Sequence, residues 1–209
     1  MNRRIGVFLI LQLVVMIGLS GCKTHPIQNE RLEAYTPTQG YRFANIAPGP
    51  DNSDSLFVVL TFSGGGTRAA AFAYGVLEKL RDTPIVWEGH SRRLLDEVDL
   101  ISSVSGGSLP AAYYGLFGDR IFTDFREKIL YPNIQGELIR QFLSLKNYAR
   151  LASPFYGRTD LMGDQFSRDF FEYKTFNDLI DRNRRPFICI NSTDLSLGSS
   201  GPQSNTPGK

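Results

Sequence analysis

The chain has 209 residues, 42% of them hydrophobic and 12% aromatic, which is enough for one globular domain with a real core. Lys and Arg number 23 against 21 Asp and Glu, for a net charge of +2, and so even a balance carries no nucleic-acid footprint. With two cysteines, two histidines and no repeat or heptad pattern, the composition excludes a disulfide scaffold, a Cys/His metal centre and a coiled coil; no metal or cofactor is expected.

In chain order, "MNRR" places two positive charges ahead of the apolar run Ile5 to Leu19, which is short for a membrane span and suited to a signal-peptide core. The run ends in "LSGC", residues Leu19 to Cys22. This resembles the lipobox of bacterial lipoproteins, which implies a signal peptide over 1–21 and acylation of Cys22. Lipid there would hold the protein on a membrane surface. Lys23, rather than an aspartate, follows the cysteine, and by the same resemblance the expected place is the bacterial cell envelope, at the periplasmic face of the outer membrane. Residues 22–55 are polar with Pro, Asn and Thr, and read as a membrane tether.

The apolar run Leu56 to Phe62 has the look of a buried parallel strand. "SGGGT" follows it, and then a helix over Arg68 to Asp82, with Ala69, Phe72, Ala73, Val76, Leu77 and Leu80 on one face. After a polar loop around Trp87 to Arg93, "VDLISSV" predicts a second strand and "SLPAAYYGLFG" a second helix, whose Leu109, Ala112, Tyr113 and Leu116 share a side. Ile121 to Asp181 is helical and aromatic-rich, and Thr175 caps a short helix in "TFNDLIDR". "PFICINS", Pro186 to Ser192, is a third strand, with Cys189 packed as a small hydrophobe. Alternating strands and helices predict an α/β domain with a mainly parallel sheet over 56–197. Residues 198–209 contain no hydrophobic side chain and read as a disordered tail.

The chemistry concentrates at "SSVSGGS", Ser102 to Ser108, between the second strand and its helix. A serine hydroxyl needs exposure and activation to attack, and a sharp strand-to-helix elbow exposes it. The positions two before and two after the nucleophile must be small. Around Ser105 they are Ser103 and Gly107, so the elbow reads S-x-S-x-G in place of G-x-S-x-G. Ser108, inside the helix, is the rival; Ser102 and Ser103 precede the turn. Gly64, Gly65 and Gly66 leave backbone N–H groups free to face a ligand at a helix start, as an oxyanion hole requires. A P-loop is excluded, because "GGGTRAAA" lacks its lysine and spacing. Arg68 either locks this loop, meets a phosphate or is a solvated helix-start residue. A Ser-His-Asp triad of the α/β-hydrolase order needs a histidine after the serine, and both His25 and His90 precede it.

Together "LTFSGGGTRAAAFAYGVLEKL" and "VDLISSVSGGSLPAAYYG" resemble the bacterial patatin-like phospholipases, with a looser match through "TFNDL" and "FICINSTDL". The resemblance implies a three-layer α/β fold and a Ser-Asp dyad without histidine. It implies Ser105 as nucleophile, an oxyanion hole at the glycine loop, and a membrane lipid or other carboxylic ester as substrate. The aromatic middle segment would then wall an acyl pocket or serve ordinary helix packing. The family's aspartate belongs to a D-G-[AG] motif, and this chain has no Asp-Gly pair. Asp194 in "NSTDL" is only a fallback, since that position lies upstream of the catalytic aspartate in similar sequences. The expectation is therefore a lipid acyl hydrolase whose domain is incomplete at its C-terminus and lacks its base, the alternative being a membrane-tethered, non-catalytic lipid-binding or interaction protein.

Overall fold

The computed structural model describes residues 34, 36–144, 147, 150, 151, 156–194 and 199–203. The expected signal peptide, Cys22 and the extreme C-terminus lie outside them. The described residues fall into two compact units, 133–170 in one and 34–132 with 171–203 in the other.

The larger unit holds the sheet. Strand β1 (Val58–Phe62) leads through a glycine loop into helix α1 (Gly66–Arg81). A hairpin of β2 (Pro84–Trp87) and β3 (His90–Arg93) follows, with a short 3-10 turn Leu94–Glu97 before β4 (Val98–Val104). A tight 3-10 turn, Ser105–Gly107, enters α2 (Ser108–Phe117), and α3 (Ile121–Phe125) runs on into a π-helical turn Arg126–Leu130. In the smaller unit are α4 (Ile134–Phe142) and α5 (Arg158–Asp169). The chain returns through α6 (Phe176–Arg182), β5 (Phe187–Asp194) and β6 (Ser199–Gln203).

The sheet order is β1-β4-β5-β6, with β1, β4 and β5 parallel and β6 antiparallel to β5. This is the mixed α/β fold with a parallel core that the alternating pattern predicts. Leu60, Ile101 and Ile188 lie in register on one face, and α2 seats so closely there that a Cβ at Gly115 would fall 2.5 Å from Ile188. Ile101, Ile188, Ala111 and Tyr113 are all fully buried in this layer.

Several expectations need correction. β1 is not buried on both sides: it is an edge strand, and Phe57 and Val59 stay exposed, as does Val104 on the same side of β4. In α1 the buried set is Ala70, Ala73, Tyr74 and Leu77, a face rotated from the predicted one, and Phe72 is 76% exposed. The stretch Trp87 to Arg93, read as a polar loop, is the turn and second strand of the hairpin, closed by Glu88 and Gly89 at positive φ. Ser199–Gln203, inside the tail read as disordered, is paired to β5 through backbone bonds that need no apolar side chain.

The segment read as a tether is folded in from Tyr41 onward. Tyr41 stacks on Phe187 at 4.5 Å, and its hydroxyl accepts a 2.7 Å bond from the Ile188 amide. Ile46 and Ser53 are buried as well. The apolar residues scattered among the polar ones are what the sheet edge recruits.

Two buried carboxylates pin this segment and the strand starts. Asp99 accepts from the Val58 amide at 2.8 Å and from Arg185 at 2.7 Å, so it joins the starts of β1, β4 and β5. Glu97 accepts from the amide and hydroxyl of Ser53, both at 2.9 Å, and from Arg92 at 2.7 Å. Burial alone would push the Glu97 carboxyl up, but the Ser53 and Arg92 donors outweigh it and hold it below its ordinary value of 4.5. A depressed folded-state value contributes stability above pH 4.5 that is lost as the pH falls through the folded value. Glu97→Ala is expected to cost about 3 kcal/mol at pH 7, through an uncompensated Arg92 and an orphaned Ser53 amide. The difference from wild type should shrink on acidification below pH 4.5, as chemical denaturation at several pH values would show.

Candidate active site

Everything singled out in the sequence near Ser105 meets at the C-terminal end of β4. Ser105 has φ 50°, in the left-handed region that a non-glycine residue enters only under constraint. The residue is exposed, whereas Ser108 is 9% exposed and its hydroxyl is buried without a partner among the described residues. Between the two candidates, only Ser105 stands where a substrate can reach it. The N-termini of α1 and α2 flank it, and both bring partial positive charge.

Glycines make this arrangement possible. A Cβ at Gly64 would stand 3.3 Å from the Ser105 Cβ, which places the loop directly against the elbow. A Cβ at Gly106 would lie 2.8 Å from the Gly66 nitrogen and closer still to the Gly66 carbonyl oxygen. One at Gly107 would lie 2.7 Å from the Ser63 carbonyl oxygen. Gly65 and Gly66 have φ 140° and 64°, which turn the chain back into α1. Gly64, Gly65 and Gly66 are all exposed, so their backbone stays open to a ligand. Arg68, in the first turn of α1, is exposed and makes no hydrogen bond or ion pair among the described residues. A rigid loop of main-chain donors beside an exposed, strained hydroxyl can stabilise an oxyanion formed on that hydroxyl's acyl adduct.

Sequence reasoning missed the brace beneath the elbow. Asn191, midway along β5, donates to the Ser102 hydroxyl at 2.9 Å and to the Ser103 carbonyl at 3.2 Å. The Ser103 hydroxyl donates to the Cys189 carbonyl at 3.2 Å. Ser103, the departure from G-x-S-x-G, is thus 1% exposed and employed as a cross-strand link. A polar Asn in an apolar strand run was the available signal. Cys189 is half-buried, and burial raises its thiol above the ordinary range.

No carboxylate or imidazole bonds to the Ser105 hydroxyl among the described residues. His90 sits in the hairpin, exposed, with its ring bonded to the Glu88 carbonyl. Asp194 closes β5, and its side chain lies outside what is described. No group of His, Cys, Asp and Glu fit for a metal occurs among the described residues. Phe125 of the aromatic segment is fully buried in helix packing against Tyr113 of α2, also fully buried, with ring centroids 5.3 Å apart.

Gly106→Ala is expected to push the elbow off the glycine loop. Circular dichroism should keep the α/β signature while labelling of Ser105 by a fluorophosphonate drops at least tenfold. Unchanged labelling would show that the two loops need not touch.

The model of the family described as patatin-like phospholipase matches residues 60–206, more than two thirds of the chain and beyond the 197 boundary expected from the sequence. No curated protein and no solved structure matches it. With the parallel sheet, the glycine loop and the serine elbow in family order, the chain belongs to the patatin-like phospholipase family of lipid acyl hydrolases.

Proposed function

We propose that this protein is a serine-nucleophile acyl hydrolase acting on a membrane lipid or a related carboxylic ester. Ser105 attacks the ester carbonyl and takes the acyl group, and the alcohol leaves with a proton. The Gly64–Gly66 amides hold the oxyanion of the tetrahedral adduct before the alcohol departs, each donor lowering the barrier by about 3–4 kcal/mol, and water then cleaves the acyl-serine ester to give the carboxylic acid and free Ser105. Arg68 supports the loop or meets the phosphate of a phospholipid. The observation that supports this reading best is the contact between an exposed Ser105 at φ 50° and the open glycine loop.

Attack also requires something to take the Ser105 proton. Asp194 is the nearest sequence candidate by motif and no more than a fallback. Without a base the hydroxyl stays protonated and turnover is slow. For that reason a second reading stands beside the first, a membrane-tethered protein of the same lineage that binds lipid without cleaving it. Both readings place the protein on a bacterial envelope membrane through acylated Cys22, and mass spectrometry of the mature N-terminus tests that anchor: a diacylglyceryl-modified Cys22 supports it and an unmodified N-terminus elsewhere refutes it.

Hydrolysis of a short-chain nitrophenyl ester separates the two. The expected result is slow release of nitrophenol that falls to background in Ser105→Ala. No Ser105-dependent release, with vesicle binding intact, would favour the binding protein. Fast release that disappears in Asp194→Asn would assign the base to Asp194.

A further inference from the structure

At the opposite end of the sheet from Ser105 lies a polar cleft of about 320 Å³. It opens where β4 and β5 begin, and the seven residues of β4 put it about 20 Å from the elbow. The Gly49–Asn52 loop, the C-terminal end of α2 and the Arg182–Pro186 connection wall it, and four arginines line it.

The charges of these arginines are not equally spoken for. Arg93 is held by Asp96 and by Asp119, at 2.5 and 2.6 Å. Arg185 gives its Nη1 to Asp99, Asp54 and Asn52, but its Nε is buried with no partner among the described residues. Arg182 donates to the backbone carbonyls of Tyr114 and Gly115 and forms no ion pair among the described residues. Burial lowers its pKa first and the neighbouring Arg184 lowers it further, against Tyr114 and Asp119, which raise it. Arg184 is exposed and makes no ion pair among the described residues. The Tyr114 hydroxyl, on a 6% exposed residue, has no hydrogen-bond partner among them either. Against these donors stand three carboxylates of the lining: Asp96 and Asp119, both paired to Arg93, with Asp119 also close enough to act on the Arg182 charge, and Asp51, which has no ion pair among the described residues.

We propose that this cleft binds a phosphate-type oxyanion, held by Arg182, Arg184 and the Tyr114 hydroxyl. Planar guanidinium donors that form no ion pair among the described residues, gathered at one small polar cavity, match the geometry of a phosphate. The anion would relieve the repulsion between Arg182 and Arg184, while Asp51 opposes it and limits its affinity. A free phosphate ester and a lipid headgroup present the same chemistry. The site is separate from Ser105 and does not depend on the acyl-transfer reading.

Isothermal titration of the full chain with inorganic phosphate tests the proposal. One phosphate per chain is expected, weakened at least fivefold by Arg184→Ala and by Arg182→Lys, and tightened by Asp51→Asn. Fluorophosphonate labelling of Ser105 should be unchanged in Arg184→Ala, which keeps this test apart from that of the nucleophile. Competition by glycerophosphoethanolamine would identify a headgroup as the source, and its absence a soluble phosphate. No saturable heat, or binding lost in Arg68→Ala and retained in Arg184→Ala, would overturn the proposal, the second by moving the anion to the glycine loop.

Discussion

The backbone of Gly66 passes so close to Gly106 that no side-chain atom fits between them, and the site depends on that approach. It sets the glycine loop against the elbow, fixes where the loop amides stand relative to Ser105, and holds Ser105 at a positive φ. Strain of this kind costs of order 1–3 kcal/mol and survives only where the surroundings over-determine it. Here the surroundings are a seven-residue strand behind the serine, a helix start ahead of it, and Asn191 bracing the last strand residues from β5.

The two ends of the sheet divide the work. At the start of the strands, Asp99 and Glu97 are buried, and each is satisfied by a guanidinium and by backbone or hydroxyl donors. Such pairs tie separate segments into one register, because removing a partner leaves a charge without solvation. At the other end the backbone is exposed and polar groups are left open. The buried, satisfied carboxylates therefore gather where the strands begin, and the exposed Ser105 and glycine loop where β4 ends, the side on which ligands of parallel α/β sheets sit.

How legible this was depended on the residue. β4 was readable to the residue, because a short run with Val and Ile breaks off abruptly at a Ser-Gly-Gly turn signal. The Ser105 elbow was readable because its small neighbours at fixed spacing answer a steric demand. The buried face of α1 was not: with Ala, Phe, Val and Leu on several sides, periodicity left its rotation open, and tertiary packing chose Tyr74 over Phe72. The packing of Tyr41 and Ile46 was hidden in a polar stretch, since a few apolar side chains at irregular spacing have no period to detect. Asn191 stood out only as a polar residue in an apolar run, and the Arg182–Arg184 cleft not at all. Their meaning lies in partners far along the chain, which only the fold brings together.

The central claim is that the Gly64–Gly66 amides and the Ser105 hydroxyl form one acyl-transfer centre. The most direct measurement is a crystal structure of the chain after reaction with a phosphonate ester, a stand-in for the tetrahedral intermediate. The account predicts phosphorus bonded to the Ser105 Oγ and one phosphonyl oxygen within 3.1 Å, roughly, of glycine-loop nitrogens. An adduct on another serine, or a phosphonyl oxygen turned to solvent away from Gly64–Gly66, would contradict it.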